Sequence, residues 1–420
     1  MTSFDAETLA LLTTKAPVWR QQQMQAAFEV FEDMSEPTGI EEDWRYIEFD
    51  LPFSELAPVA EPGERLPPGP FLGAVEATSG SVVIVDGHVV EVDAAEIEVL
   101  RPSDLDDQSA WSGSVPPDHN KLAAAHTAFA HDGIVVSVPS NAVVSQPLVI
   151  DVQAVTPGSA SFPHLEVRLS ENSEANVLVL YRSAEGARLL MVPEVDLKVG
   201  DGARLKFLTV QSLDHAGSVV VHQRIHLGRD STSRVGEVGL GGNLGRLDLG
   251  VDLNGDGASS EVVGIYFGEG DQTLDYRMLI AHHGRRTSSD VFLKGAVEDN
   301  AQSVFTGLLR IEKHATRTST FETNRNLVLS DNAKAQSVPN LEILCDDVVC
   351  GHASSVGPLE EDHLYYLQSR GLGKERAERL LIRGFFQEVI DRLPLANVAD
   401  PVSDEVFSRF VTAQEEGRVA

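Results

Sequence analysis

A chain of 420 residues, 42% of them hydrophobic, can form two or three domains with a substantial core. Its 64 acidic and 33 basic residues give a formal net charge of -31, which repels nucleic acid phosphates and anionic lipids, so neither nucleic acid nor a membrane is an expected partner. With only two cysteines, Cys345 and Cys350, the chain can build neither a disulfide framework nor a metal cluster held by four of its own thiolates.

The sequence also lacks the segments and motifs that would indicate several common functions. No run approaches the roughly 18 to 20 apolar residues of a membrane-spanning helix. The first residues, MTSFDAETLALLTTK, do not have the basic start and apolar stretch of a secretion signal, so we expect a cytoplasmic protein. The GxxxxGK[ST] phosphate loop, the GxSxG serine motif and the HExxH zinc motif are missing. We therefore predict a non-enzymatic chain that does not hydrolyse ATP by itself.

Residues 1–132 form the first predicted region. Up to about residue 60 the pattern is helical, as in APVWRQQQMQAAFEVFEDM. The proline-rich stretch ELAPVAEPGERLPPGPFLG then predicts a linker or an irregular wrapping segment. SVVIVDGHVVEV predicts a β-hairpin, because two valine-rich runs flank Asp86-Gly87, a pair that tolerates the positive φ angles of a tight turn. A short helix is expected around HNKLAAAHTAFAH.

Residues 133–349 form the second region, in which short strands rich in Val, Leu and Ile follow one another with almost no helical period. Polar turns of similar chemistry recur between the strands: ENSEAN at 171, GDGARL at 200, GRDSTS at 228, GDGASS at 255, EDNAQS at 298 and DNAKAQ at 331. This spacing favours a β-solenoid whose coils stack their apolar residues on one another, with the polar turns along one edge. A large antiparallel sandwich is the alternative.

Residues 350–420 form the third region, which is predicted to be helical. PLEEDHLYYLQSRG has the proline and acidic first turn of a helix and ends at a glycine, and KERAERLLIRGFFQEVIDRL predicts a second helix. Leu380, Leu381, Phe385 and Phe386 give this second helix more apolar surface than a lone helical pair needs. We therefore expect these four residues to bind a partner.

Cys350-Gly351-His352 lies at the junction between the strands and the helices. In an extended segment the side chains of Cys350 and His352 fall on one face, with their α-carbons about 6 to 7 Å apart, so both can reach one metal ion. The alternative is a small packed cysteine beside a turn histidine, since free cysteines are commonly buried.

The run PNLEILCDDVVCGHASSVGPLEEDHLYYLQSRGL resembles the signature of the SufB/SufD family of iron-sulfur cluster assembly proteins. The shared features, in order, are LEI, DDV, C-x-H, a V-G pair, a YL pair and S-R-G-[IL]. The similarity continues through AERLLIRGFFQEV and, more loosely, through most of the chain. Gly351 and Ala353 depart from the commoner C-S-H-G-A-[TS]-V-G. These changes alter local backbone freedom and leave the ligand atoms in place. The length, the few cysteines and L-Q-S-R-G resemble SufD rather than its cysteine-bearing paralogue SufB.

The resemblance implies a mainly β protein: a right-handed parallel β-helix between N-terminal and C-terminal helical regions. It also implies pairing with SufB and docking of the ATPase SufC through the C-terminal helices. A transient iron-sulfur cluster or iron would form at the interface with SufB, where Cys350 would contribute a thiolate and His352 a neutral imidazole nitrogen. Whether a flavin joins the complex, and whether the chain forms a homodimer without SufB, are left open.

Two other classes of function remain as alternatives. A β-helix enzyme acting on polysaccharide would need an aromatic-lined groove with clustered carboxylates, which an aromatic content of 6% does not favour. A structural or interaction module whose C-x-H has no metal chemistry is the stronger alternative. Bound iron and sulfide after reconstitution with partners would distinguish the scaffold from both.

Overall fold

The N-terminal part of the chain forms helices and a hairpin that pack against a long β-solenoid. The structure is a computed structural model that describes residues 3–14, 16–94, 97–101, 104–105 and 113–415. Short 3-10 helices span Glu42–Trp44 and Phe53–Glu55. The elements of this part are α1 (Ala6–Thr13), α2 (Val18–Asp33), β1 (Ala57–Pro58), α3 (Pro70–Gly73), β2 (Gly80–Val85), β3 (His88–Ala94), β4 (Glu98–Leu100) and α4 (Lys121–Phe129).

The middle of the chain consists of strands joined by short turns. The strands are β5 (Gly133–Val138), β6 (Val143–Ala154), β7 (Ser159–Ser161), β8 (His164–Leu169), β9 (Glu174–Ser183), β10 (Leu189–Met191), β11 (Glu194–Val199), β12 (Arg204–Ser212), β13 (Gly217–Leu227), β14 (Thr232–Gly239), β15 (Leu244–Leu253), β16 (Ser259–Gly268), β17 (Thr273–His282), β18 (Ser288–Val297), β19 (Gln302–Ile311), β20 (Thr318–Val328), β21 (Lys334–Ile343) and β22 (Val348–Gly357).

These strands form a parallel β-solenoid of about 8 turns, as predicted. One sheet, here called the first sheet, has the order β4-β5-β8-β11-β13-β15-β17-β19-β21, with β1, β7 and β10 alongside it. The second sheet has the order β3-β2-β6-β9-β12-β14-β16-β18-β20-β22. The pairs β2–β3 and β4–β5 are antiparallel, and the coils that follow pair in parallel. The antiparallel sandwich is therefore wrong.

The predicted hairpin is present. Strands β2 and β3 pair antiparallel, and Asp86 and Gly87 between them have φ angles of 51° and 85°. Strand β2 also pairs in parallel with β6, so the hairpin caps the first end of the second sheet. At the other end, β22 runs to Gly357. Each end of the solenoid therefore includes residues beyond the 133–349 range.

Polar turns stack along an edge of the solenoid, one in each coil. Residues with positive φ recur there every 27 to 31 positions, and the backbone N–H of each donates to a carbonyl in the turn of the next coil. Glycine, asparagine and aspartate adopt this left-handed conformation more easily than other residues do. The residues in this stack are Asn141, Asn172, Gly202, Asp230, Gly257, Arg286 and Arg317.

The prediction that all the polar turns share one edge is wrong for two of them. The turns beginning at residues 171, 200, 228 and 255 belong to the stack, but EDNAQS joins β18 to β19 and DNAKAQ joins β20 to β21 at the opposite edge. Each coil has two corners, and this explains the longer interval between residues 255 and 298. The chain there passes through one extra corner before a similar sequence recurs.

Helices cover part of each outer face of the solenoid, and the strands beneath them are apolar on both sides. Side chains of α2 and α4 pack on the first sheet against Leu190, Val192 and Val220. Side chains of the C-terminal helices pack on the second sheet in a cluster that includes Phe267 and Phe292. These last helices are α5 (Glu361–Ser369), α6 (Lys374–Ile390) and α7 (Ala396–Glu415). Among the described residues, no helix is both long enough and apolar enough to cross a membrane.

Candidate functional site

The C-x-H pair, Cys350 and His352, lies on β22, the last strand of the second sheet. In the parallel pairing with β20, Cys350 is opposite Thr320 and His352 is opposite Glu322. Thr320 and Glu322 are buried inside the solenoid, so alternation along the strand places Cys350 and His352 on the inner side as well. The structure therefore brings the two predicted ligands to one face of one strand.

The two side chains differ in their surroundings. His352 is exposed, because the described chain adds no further coil beyond β22. Cys350 is half-buried and packs against a small cluster formed by Ile311, Ala315 and Cys345. The imidazole of His352 is thus accessible from solvent. The thiol of Cys350 lies at the same end of the solenoid and is partly accessible.

Glu322 is a third group at this end, and sequence reasoning did not single it out. It is only 1% exposed, and neither carboxylate oxygen has a hydrogen-bond partner within the described structure. Burial raises its pKa to about 8. The carboxyl lies against the backbone of Gly307, where an added Cβ would be 2.0 Å from Oε2. The only signal in the sequence is that a glutamate occupies the strand position one coil before His352.

A thiol, an imidazole and a carboxyl are donor types that iron accepts. This chain offers one of each at the end of the solenoid: Cys350, His352 and Glu322. Since Cys350 is the only half-buried thiol and Cys345 is packed in the core, a cluster here would need further ligands from another chain.

The end of the solenoid that carries β21 and β22, here called the open end, has two unpaired strand edges and exposed apolar side chains. Half of the sixteen exposed large hydrophobic residues in the described part of the chain lie after residue 320. Five of them belong to the last coils: Phe321, Leu341, Leu344, Val349 and Val356.

The four residues predicted to bind a partner do not share one surface. Phe386 is buried in the cluster that joins α6 to the second sheet, so it supports the packing of the helix. Leu381 and Phe385 are half-buried and line a groove of about 710 Å³ between α6 and residues 353–357 of β22. Leu380 is 51% exposed and faces a different groove.

The groove beside Leu380 has a volume of about 490 Å³ and is lined by α6 and by Phe407 of α7. Three arginines of α6, at positions 376, 379 and 383, line it together with Leu380 and one acidic residue, Glu375. A basic, partly apolar groove on a chain with a net charge of -31 is a local reversal of charge. Such a reversal favours a partner with acidic side chains.

Lysine 294 holds α6 in place beside these grooves. Its ammonium group donates to the Phe385 carbonyl and to Glu388, each at 2.7 Å. Because Lys294 belongs to β18 of the solenoid, the position of the helix depends on the second sheet. The grooves are therefore features of the assembled fold and not of the helical pair alone.

A family model and the related proteins found by comparison all point to the same protein family. The model of the SufBD core domain of SUF system FeS cluster assembly matches residues 152–385. An iron-sulfur cluster assembly SufBD family protein of Mycobacterium leprae is 34% identical over 333 residues, covering 75% of this chain and 83% of its own. A SufBD family protein of Mycobacterium tuberculosis is 32% identical over 385 residues, covering 89% and 88%.

A third relative carries the more specific name. The iron-sulfur cluster assembly protein SufD of Bacillus subtilis is 32% identical over 306 residues, which is 70% of this chain and 68% of that protein. The family match begins within β6 and spans the later strands of the solenoid, the C-x-H pair and most of α6. The chain therefore belongs to the SufB/SufD family of the SUF iron-sulfur cluster assembly system.

Proposed function

We propose that this chain is a SufD-like, non-enzymatic scaffold subunit that acts in the cytoplasm. It pairs with a SufB-like paralogue through the open end of its solenoid and docks a SufC-like ATPase through its C-terminal helices. A nascent iron-sulfur cluster then forms between the two solenoids, and Cys350 and His352 are the contribution of this chain. The observation that carries the proposal is the position of His352, which is exposed on the last strand beside an unpaired sheet edge.

The open end supports pairing with another solenoid. Unpaired N–H and C=O groups of an edge strand can add a strand from a partner, and β21 and β22 offer one such edge on each sheet. Exposed Val349 and Leu341 supply apolar area next to these edges. A paralogue with the same fold would have matching edges, and a homodimer would use the same surface when the paralogue is absent.

The small number of ligands also favours a shared site. A single accessible thiol and one imidazole cannot hold a cluster that needs four ligands. At an interface, each chain supplies only part of the coordination, and the cluster leaves when the interface opens. The absence of a phosphate loop from the sequence means that any ATP-driven opening depends on the ATPase.

The groove around Leu380 is the proposed contact for the ATPase. It combines an exposed apolar side chain with the arginines at positions 376, 379 and 383. The neighbouring groove lined by Leu381 and Phe385 reaches residues 353–357 of β22. A partner held in these grooves would lie close to the strand that carries His352, so its movement could reach the cluster site.

Reconstitution tests the proposal. The full chain is mixed with a SufB-like and a SufC-like protein, supplied anaerobically with iron and sulfide, and the isolated complex is assayed for both. We expect a three-component complex in which bound iron and sulfide depend on His352. The absorption spectrum of the same sample reports whether a flavin is bound. A stable complex without iron or sulfide, or with the same content after His352→Ala, would contradict the scaffold function.

The second candidate is a structural module without metal chemistry. The packing of Cys350 against Ile311 and Cys345 favours this alternative, because a half-buried thiol can serve as a small apolar residue. In that case the chain would still bind its partners, and loss of Cys350 would lower stability without changing the cluster content. The same reconstitution separates the two functions.

A further inference from the structure

A group of two histidines and one glutamate lies under helix α4, on the outer face of the first sheet. His164 of β8 and Glu194 of β11 are opposite each other in neighbouring parallel strands, and His126 of α4 lies over them. All three are at least 97% buried. Each offers one ligand atom, and these atoms lie within 4.8 Å of one another. We call His126, His164 and Glu194 the His-Glu cluster.

The hydrogen bonds of His126 define which of its ring nitrogens faces the cluster. Nε2 lies 3.2 Å from the carbonyl oxygen of Pro163, which can only accept, so Nε2 carries a proton and donates it. Nδ1 lies 2.9 Å from Oε2 of Glu194. In a neutral imidazole, Nδ1 carries a lone pair that faces the carboxylate of Glu194. The two repel each other, so this arrangement needs a cation. The cation is either a second proton on His126 or a metal ion.

The contacts of His126 outside the cluster are those that metal-binding histidines have. A histidine ligand almost always donates its other ring N–H to a carbonyl or a carboxylate, which holds the ring in place. Pro163 provides that carbonyl for His126. The second oxygen of Glu194, Oε1, is buried and has no hydrogen-bond partner among the described residues. Burying a carboxylate oxygen without a hydrogen bond costs free energy. This oxygen is therefore available as a ligand atom.

The cluster also has space beside it. A cavity of about 40 Å³ is bounded by all three residues together with Val115, Pro117 and Thr127. This volume is enough for an ion or one water molecule. Arg20 also lines the cavity, but its guanidinium donates to the carbonyl oxygens of Thr127 and Ala130 at the end of α4. Its guanidinium also interacts electrostatically with Glu194, so it balances part of the charge of that carboxylate.

We propose that His126, His164 and Glu194 bind one divalent first-row transition-metal ion, which attaches helix α4 to the solenoid. Two imidazoles and one carboxylate are a set used by protein zinc and iron(II) sites, with metal-ligand bonds of about 2.0 to 2.2 Å. The three ligand atoms, within 4.8 Å of one another, are close enough to surround one ion. The remaining position is open to a water molecule in the cavity. This site is structural and is independent of the scaffold function proposed above.

The first test uses the full chain and zinc alone. The protein is treated with a chelator, the chelator is removed, and binding of Zn²⁺ is measured by titration calorimetry and by metal analysis. We expect one tightly bound ion per chain and a rise in the melting temperature that increases with the zinc concentration. Failure of the wild-type chain to bind zinc at micromolar concentration would overturn the proposal.

Variants locate the bound ion. Glu194→Gln preserves the size of the side chain and removes the carboxylate, so we expect at least a tenfold loss of zinc affinity with an unchanged circular dichroism spectrum. The double variant Cys350→Ser and His352→Ala should keep the full stoichiometry. His119→Gln serves as a matched control and should bind zinc like the wild type. His119 belongs to a neighbouring group with His222 and Asp248, outside the His-Glu cluster. The proposal is wrong if Glu194→Gln binds zinc like the wild type, or if the double variant loses the ion.

A spectroscopic measurement on the wild-type chain does not depend on whether any variant folds. Co²⁺ in place of Zn²⁺ gives visible bands that report its ligands. We expect the spectrum of a nitrogen and oxygen site without the cobalt-thiolate absorption that binding at Cys350 would produce. Thiolate absorption at one equivalent of Co²⁺ would place the ion at the C-x-H pair and overturn the assignment.

Discussion

Glu322 lies opposite His352 in the parallel pairing of β20 and β22, and the two side chains share the inner side of the sheet. Glu322 is buried because β22 and the neighbouring coil cover it, whereas His352 is exposed. The end of the solenoid thus presents an inner-facing position to solvent. A ligand there is held by the sheet on one side and remains accessible on the other.

His352→Ala should separate cluster chemistry from folding. An exposed side chain on an edge strand contributes little to stability, so we expect a change of less than about 0.5 kcal/mol in the free energy of unfolding. Pairing with the SufB-like protein should be nearly unchanged, and cluster yield should fall strongly. Melting curves and the iron and sulfide content of the reconstituted complex measure the two effects.

Two companion variants interpret that result. His314→Ala removes another exposed histidine from a turn of the solenoid and should leave the cluster yield unchanged. Cys350→Ser should reduce the yield less than His352→Ala if the imidazole is the principal ligand, and it should cost about 1 kcal/mol because Cys350 packs against Ile311. A normal yield for His352→Ala, with a loss of stability for Cys350→Ser, would instead support the structural module.

Lysine on the terminal strand should prevent pairing of the solenoids. Val349 is 60% exposed on β22, so Val349→Lys should leave the fold intact, while its charge opposes addition of a partner strand. We expect loss of the complex with the SufB-like protein in analytical size exclusion. Leu279→Lys is the matched control, because Leu279 is an exposed apolar residue on β17, which has β15 and β19 on either side in the first sheet. Equal binding by both variants would exclude the open end as the interface.

The solenoid could be predicted because its repeat is set by residues that favour a particular local backbone conformation. Glycine, asparagine and aspartate at corners such as Asn172, Gly202 and Asp230 favour the left-handed backbone, and they recur once per coil. Runs of valine and leucine between them predict strands buried on both faces. What the pattern could not distinguish is which of the two corners a turn occupies, since both corners favour the same residue types.

The candidate site was only partly predictable, for a different physical reason. Cys350 and His352 are neighbours in the chain, so their spacing already implied a common face. The proximity of Glu322 depends on the register between coils, and that of His126 to His164 and Glu194 depends on how α4 packs on the sheet. These relations follow from tertiary packing, which a single sequence does not display.

Leu380→Asp should weaken binding of the ATPase while leaving the solenoid folded. Leu380 is exposed beside the basic groove of α6, so a new carboxylate there opposes both apolar contact and the approach of acidic partner residues. We expect at least about a tenfold loss of affinity, as for a central interface residue. Surface plasmon resonance with the immobilised ATPase measures it, and circular dichroism verifies the fold.

Phe386→Asp is the informative comparison for this prediction. Phe386 is buried between α6 and the second sheet, so a charge there should displace the helix and lower the melting temperature. Any loss of binding in this variant is then a consequence of unfolding. If Leu380→Asp binds the ATPase as the wild type does, the groove beside Leu380 is not the docking surface.

Glu237 provides a pH-dependent property of the solenoid that is separate from the cluster site. This residue of β14 is 3% exposed inside the solenoid, where Thr209 and Gln223 donate hydrogen bonds to its two oxygens, the latter at 2.8 Å. Burial raises its pKa to about 7, above the ordinary value of 4.5 for a glutamate. In the folded protein the carboxyl therefore stays protonated over a range in which the unfolded chain has already lost its proton.

The sign of the resulting effect follows from proton linkage. Between pH 4.5 and about 7 the folded state holds one proton more than the unfolded state at this position, so the free energy of unfolding decreases as the pH rises. Glu237→Gln removes this term, on the order of 3 kcal/mol in total. We expect the variant to gain stability relative to the wild type from pH 5 to pH 8, as measured by urea denaturation. Glu171→Gln, at an exposed turn, should follow the wild-type profile. Parallel pH profiles for Glu237→Gln and the wild type would show that Glu237 is already ionised in the fold.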